Sequence, residues 1–181
     1  MLTGTNGNLI AKTAASLGIP HSYLDGIIKA ESDYNPKASN SGSSAVGLIQ
    51  FIESTALSLG TTTAQLLKMD FAGQMVYVEK YFKNYFKTKE KPKRFIDMYL
   101  IVFYPPLVGK ADTYTLPMNA YTGNKGMDTD KNGQITKAEI NQWLLRRVGY
   151  DPDSVLNVGF TNTYVIGAAI FAALLFFTYK S

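Results

Sequence analysis

The 181-residue chain has no cysteine and a single histidine, His21. Without cysteine there are no disulfide scaffolds, thiolate zinc sites or cysteine nucleophiles. One histidine excludes a histidine-rich metal site and leaves a serine–histidine triad without support; near a helix start, His21 reads as a surface or capping residue. Charge is sparse: 18% of residues are charged and the net charge is +4. That falls short of a nucleic-acid-binding stripe but suits an acidic partner such as a cell-wall polymer or lipid headgroups. Strand-like alternation, internal repeats and low-complexity segments are all missing. The opening MLTGTNGNLIAK lacks the basic-then-apolar pattern of a cleaved signal peptide, so no such leader is expected.

Apolar residues make up 46% of the chain, enough for one domain with a real core and an appendage. Their periodicity is helical. Asn8 to Leu17 reads as a short helix ended by Gly18, and Pro20 opens a second running to about Ser32. Phe71, Met75, Val78, Phe82 and Tyr85 step by fours and threes along one face of a long helix. A basic polar loop, KTKEKPKR, separates it from an apolar run, Phe95 to Tyr104, which Pro105 and Pro106 halt. Thr136 to Val148 is a further helix, closed by Gly149. The expected fold class is mostly α.

The most uneven stretch is C-terminal. From Tyr164 to Tyr179 the chain reads YVIGAAIFAALLFFTY, without a charge. As a helix this run spans roughly 24 Å at ~1.5 Å per residue, and upstream apolar residues extend it toward the ~30 Å of a bilayer core. Tyr164, Tyr179 and Lys180 stand where interfacial anchors belong. A helix apolar on every face is a poor surface helix, so a C-terminal transmembrane helix anchored in a lipid bilayer is expected. Arg146 and Arg147, near that run, read as headgroup contacts.

Chemistry concentrates in the second helix. Leu24, Ile27, Ile28 and Glu31 share one face, so Glu31 continues a stripe that points inward. A carboxylate there is costly unless paired, metal-bound or protonated, and a glutamic acid protonated near neutrality is what a general acid requires. The bland alternative is a Glu31 frayed outward at the helix end. Two motifs follow, ESDYNPKA from Glu31 and AVGLIQF from Ala45 to Phe51, with IESTA after them. In order and spacing they resemble the soluble-lytic-transglycosylase-type branch of the lysozyme-like superfamily, closely from Ala11 to Thr55 and loosely to Tyr104. Gly47 allows a tight turn and close approach of a polymer to the backbone. Gln50 offers amide donors and an acceptor to a sugar.

The resemblance implies a lysozyme-like helical domain that cleaves the MurNAc–GlcNAc bond of peptidoglycan glycan strands. Glu31 would be the single acid/base, giving 1,6-anhydro ends, with Ser32 supporting the centre and Gly47 and Gln50 contacting substrate. Family members also carry an alanine–tyrosine–asparagine segment whose tyrosine helps hold the glutamate. This chain departs there. Tyr99, Tyr104 and Tyr121 are candidates for that part, and Tyr104, at the helix end before the diproline break, is the one chosen. Hydrolysing glycosidases pair two carboxylates; Asp33, Glu53, Asp70 and Asp97 are present, but none has a spacing that marks it as partner to Glu31. Goose-type muramidases, which hydrolyse on a similar scaffold, are the near alternative. A non-catalytic structural protein of a membrane-bearing particle is the distant one.

A second motif stands apart. Asp128, Asp130, Asn132, Gln134, Thr136 and Glu139 occupy the ligand positions of a twelve-residue EF-hand loop, with Gly133 at the sharp turn and Ile135 packing inward. The oxygen-rich set points to structural Ca2+. Gly123, Gly126 and Pro117 argue against a full helix before it. Some lytic transglycosylases carry a single EF-hand, so the two motifs fit together. The expected organisation is a catalytic domain at 1–122, a calcium loop with its helix at 123–150, and a linker with the membrane anchor at 151–181. A tail anchor without a leader suggests a virion-associated enzyme of a membrane-containing bacteriophage, with capsid or other virion proteins as neighbours; a bacterial envelope protein is the alternative.

Overall fold

The computed structural model describes residues 1–40 and 42–154. Helices dominate it: α1 (Gly4–Leu17), α2 (His21–Ser32), α3 (Glu53–Ser58), α4 (Thr63–Lys68), α5 (Phe71–Phe86), α6 (Phe95–Phe103), α7 (Met118–Asn124) and α8 (Lys137–Val148). Only isolated β-bridges occur among the described residues, consistent with the expected mostly α class. The apolar run 164–179, expected to be a membrane anchor, lies outside the described residues. Among those described, no helix is long and apolar enough to cross a membrane.

The helix ends follow local chemistry. Gly18 and Gly149 close α1 and α8 in the left-handed conformation that a glycine adopts without steric cost. Asp70 caps α5 by accepting from the Gly73 amide. Thr62 with Gln65, and Thr136 with Glu139, form reciprocal capping boxes on α4 and α8. The helix α1 begins four residues earlier than the periodicity suggests, at Gly4, because Leu2 donates its amide to buried Asp25 and ties the amino terminus down.

The central helix is α2, against which α1, α6 and α8 all pack. Leu24, Ile27 and Ile28 are fully buried, and Tyr23, Gly26 and Ala30 on its other sides are buried as well. Each large aliphatic side chain so buried contributes about 1.5–3 kcal/mol. Gly26 is a close approach: a Cβ there would lie 2.6 Å from the Phe95 ring, so a larger residue would push α6 away.

The core runs without interruption from Ile10 through Phe82 and Leu100 to Ile140, Leu144 and Val148. Residues on both sides of the expected boundary at 122/123 contribute to that core. Residues 150–154 also dock onto α2: Tyr150 donates to Asp25 at 2.6 Å, Ser22 to the Pro152 carbonyl at 3.0 Å, and Tyr23 to Asp153. A buried ion pair, Lys137 Nζ to Asp97 Oδ1 at 2.6 Å, joins α8 to α6.

Candidate active site and the acidic loop

The last turn of α2 delivers Glu31 to the floor of a cleft of about 320 Å³. Asn40 and Gln50 from the loop after α2 line it, with Tyr99 and Phe103 of α6, Asn124 and Met127 at the end of α7, and Trp143 and Arg147 of α8. A smaller hollow of about 190 Å³ shares Gln50 and Phe103 and continues along Phe51, Ile52, Thr55 and Val102. The two hollows therefore adjoin at Gln50 and Phe103, and both mix polar and apolar lining.

Burial pushes the Glu31 carboxyl up to about 7, while the Tyr99 hydroxyl and the Arg147 charge pull it partly back. Its place in the last turn of a helix, at the negative end of the dipole, acts in the same direction as burial. Tyr99 is fully enclosed, and burial and the nearby Glu31 together hold its phenol far above the ordinary range, so it stays protonated. Glu31 is the one carboxylate among the described residues lining the cleft. The other candidates are occupied elsewhere: Asp33 pairs with Lys29, Glu53 accepts from Thr63, Asp70 caps α5, and Asp97 accepts from Lys137 and the Gly109 amide.

The structure sorts the remaining sequence-derived residues by position. Gln50 lines both hollows in a left-handed conformation (φ 53°) that a non-glycine residue holds only when its surroundings demand it. Ser32 is buried below the cleft, its Oγ donating to the Ile28 and Leu48 carbonyls and stapling α2 to the glycine loop. Gly47 is buried and lines neither hollow. A Cβ there would meet Gln74 Oε1 at 2.3 Å, and Gln74 in turn holds the Leu48 amide and the Pro36 and Leu66 carbonyls. Ser32 and Gly47 thus shape the loop, whereas Gln50 reaches the cleft.

Tyr104 needs correction. The backbone turns at the end of α6, and Tyr104 lines a separate hollow with Pro106, Leu107 and Tyr114. Tyr99, one turn earlier and facing α2, meets Glu31 instead. Tyr121 donates to Asp128 at 2.7 Å and belongs to the acidic loop. Arg147, read from sequence as a headgroup contact, lines the cleft. Trp143 and Arg147 went unread as site residues because they lie over a hundred positions from Glu31; their one sequence signal is the four-residue spacing that puts them on the same face of α8.

One oxygen each from Asp128, Asp130 and Glu139 lie within 4.8 Å of one another. Asp128 accepts from the Asn132 and Gly133 amides, and Asn132 Oδ1 from the Gln134 amide, so these side chains fold the chain around a common centre. Gly133 takes φ 83° at the sharp turn, and Ile135 is fully buried. Thr136 caps α8, and Glu139 accepts from the amides and hydroxyls of both Thr129 and Thr136. Burial raises Glu139, but those four donors outweigh it and hold the carboxyl below its ordinary value. Gln134 is exposed. The backbone of Tyr114–Leu116 pairs with Ile135–Lys137, so the loop is braced by its own domain. Short α7 leads in through a 3-10 turn, Lys125–Met127, and Met127 reaches the Glu31 cleft. The donor set is all oxygen, as a hard divalent cation requires.

Residues 8–72 match the family model described as the transglycosylase SLT domain. The match spans α1, α2, the glycine loop, α3 and α4, and so includes Glu31 and Gln50 but not Tyr99, Trp143 or Arg147. No curated protein matches the chain.

Proposed function

We propose that the protein is a peptidoglycan lytic transglycosylase in which Glu31 is the single acid/base. The observation that carries this reading is a lone cleft carboxyl, raised to about 7 by burial, inside a segment that matches the transglycosylase SLT domain. In the first step protonated Glu31 gives its proton to the glycosidic oxygen. The bond from that oxygen to MurNAc C1 breaks, and GlcNAc departs with a free 4-hydroxyl. In the second, the MurNAc 6-hydroxyl attacks C1 while the Glu31 carboxylate takes the hydroxyl proton. The product is a 1,6-anhydro ring, no water is consumed, and Glu31 is protonated again. Gln50 and Asn40 present amides to the sugar, and the adjoining hollow lined by Phe51, Ile52, Thr55 and Val102 receives the next residue of the strand.

We further propose that the acidic loop holds structural Ca2+ through Asp128, Asp130, Asn132, Thr136, Glu139 and the Gln134 carbonyl. The clustered oxygens and the bracing of the loop support that assignment. The 164–179 run is proposed as a bilayer anchor, and a phage particle that opens the wall locally as the setting; both rest on the sequence.

The test is digestion of purified peptidoglycan by the full-length protein and by Glu31→Gln, with mass spectrometry of the released ends. Anhydro ends from the unaltered protein, and a loss of about 10²–10⁴-fold in the variant, are expected. Reducing ends would make it a muramidase. No cleavage by a folded, calcium-loaded protein would make it a structural module.

A further inference from the structure

The cleft has a second wall that the family-matched segment does not supply. The rings of Phe103 and Tyr99 stack with centroids 5.5 Å apart, Trp143 lies 6.4 Å from Tyr99, and the Arg147 guanidinium sits over Trp143 at 5.5 Å. This wall ends where Arg147 Nε donates a hydrogen bond to the Ala30 carbonyl. Ala30 precedes Glu31, and its carbonyl is among the last four of α2, which have no partner within the helix. Among the described residues lining the cleft, Arg147 is the one cation.

We infer that Arg147 is a positioning residue for Glu31: it fixes the last turn of α2 through Ala30 and offsets the negative charge Glu31 carries between its two proton transfers. The inference rests on the acid/base reading of Glu31. A glutamate that works first as acid and then as base must be neutral at the start and tolerable as an anion midway. Burial provides the first condition and opposes the second, so a counter-charge on the opposite wall is needed. Few other groups meet that need. From α6, Tyr99 contributes a neutral donor; from α5, Tyr81 donates its hydroxyl to the Ile101 carbonyl; from the loop come the neutral amides of Asn40 and Gln50. Arg147 is exposed on its outer side, and the stack on Trp143 together with the hydrogen bond to the Ala30 carbonyl orients its guanidinium toward the helix end.

The experiment compares full-length wild type with Arg147→Met and Arg147→Lys, reading the pH profile of muropeptide release and the 13C titration of the Glu31 carboxyl, assigned by its loss in Glu31→Gln. In Arg147→Met the alkaline limb and the Glu31 midpoint should both move up by roughly half to one pH unit, and the rate at the optimum should fall roughly tenfold or more. Arg147→Lys, which keeps the charge, should leave the midpoint nearer wild type than Met does. If Arg147→Met does not fold, Arg147→Gln carries the same expectation. A slower or less stable variant whose midpoints do not move would overturn the inference. If wild type releases nothing, the catalytic reading fails, while the Glu31 titration still decides the role of Arg147.

Discussion

Glu31 and Glu139 are two carboxyls pressed against the same core, and their surroundings drive them in opposite directions. Burial raises both. At Glu139 four donors from Thr129 and Thr136 reverse that push, and the residue sits in the first turn of α8, where the dipole favours negative charge. At Glu31 the Tyr99 hydroxyl and the Arg147 charge reduce the rise without cancelling it, and the residue sits in the last turn of α2. The contrast teaches that burial alone does not set the protonation state. The supply of donors and the choice of helix end decide whether a buried carboxyl is held ionised or kept protonated toward neutrality.

The sharpest way to break the comparison is to neutralise each carboxyl in turn. Glu31→Gln should remove about 10²–10⁴ of the glycan-cleaving rate while leaving the fold intact by circular dichroism. Glu139→Gln should retain far more activity. Next in size is the response to calcium. Saturation at about a hundredfold the dissociation constant should stabilise wild type by about 2.7 kcal/mol, read as a rise in thermal midpoint that a chelator reverses and Glu139→Gln abolishes. An unchanged midpoint in wild type would remove calcium from the account.

Smaller, and opposite in sign for the two residues, are the effects on metal-free stability. The folded state holds Glu31 above its ordinary value and so prefers the neutral form. The protein therefore pays for ionising Glu31 as pH rises through about 7. Glu31→Gln should be more stable than wild type at pH 8, by on the order of 2 kcal/mol, with the gap closing as pH falls to the ordinary glutamate value of about 4.3. Glu139→Gln should be less stable at pH 8, by about 1 kcal/mol, because the capping box and the Thr129 contacts weaken. Denaturant midpoints across pH would read both.

The same contrast explains what could be read without coordinates. The acidic loop is local: its oxygen-bearing side chains, the Gly133 turn and buried Ile135 lie within twelve consecutive residues, so it can be singled out by spacing alone. Glu31 stood out because α2 is regular and its apolar stripe carries the carboxyl along. The opposite wall of the cleft is nonlocal. Tyr99 rather than Tyr104 meets Glu31 because α6 crosses α2 at Gly26, a register that no periodicity within α6 reveals. A glycine's lack of a side chain says nothing of which neighbour needs the room; at Gly47 it is Gln74, twenty-seven positions on. Arg147 was drawn toward the apolar tail by nearness in sequence, whereas packing of α8 on α2 turns it into the cleft.

The most direct test of the account is the infrared carboxyl spectrum of the full-length protein as a function of pH, taken as a difference against Glu31→Gln. A protonated-carboxyl band belonging to Glu31 should persist well above pH 5 and disappear with a midpoint of about 7. A Glu31 already ionised at pH 5 would contradict the account, since a carboxylate in that state has no proton to give the glycosidic oxygen.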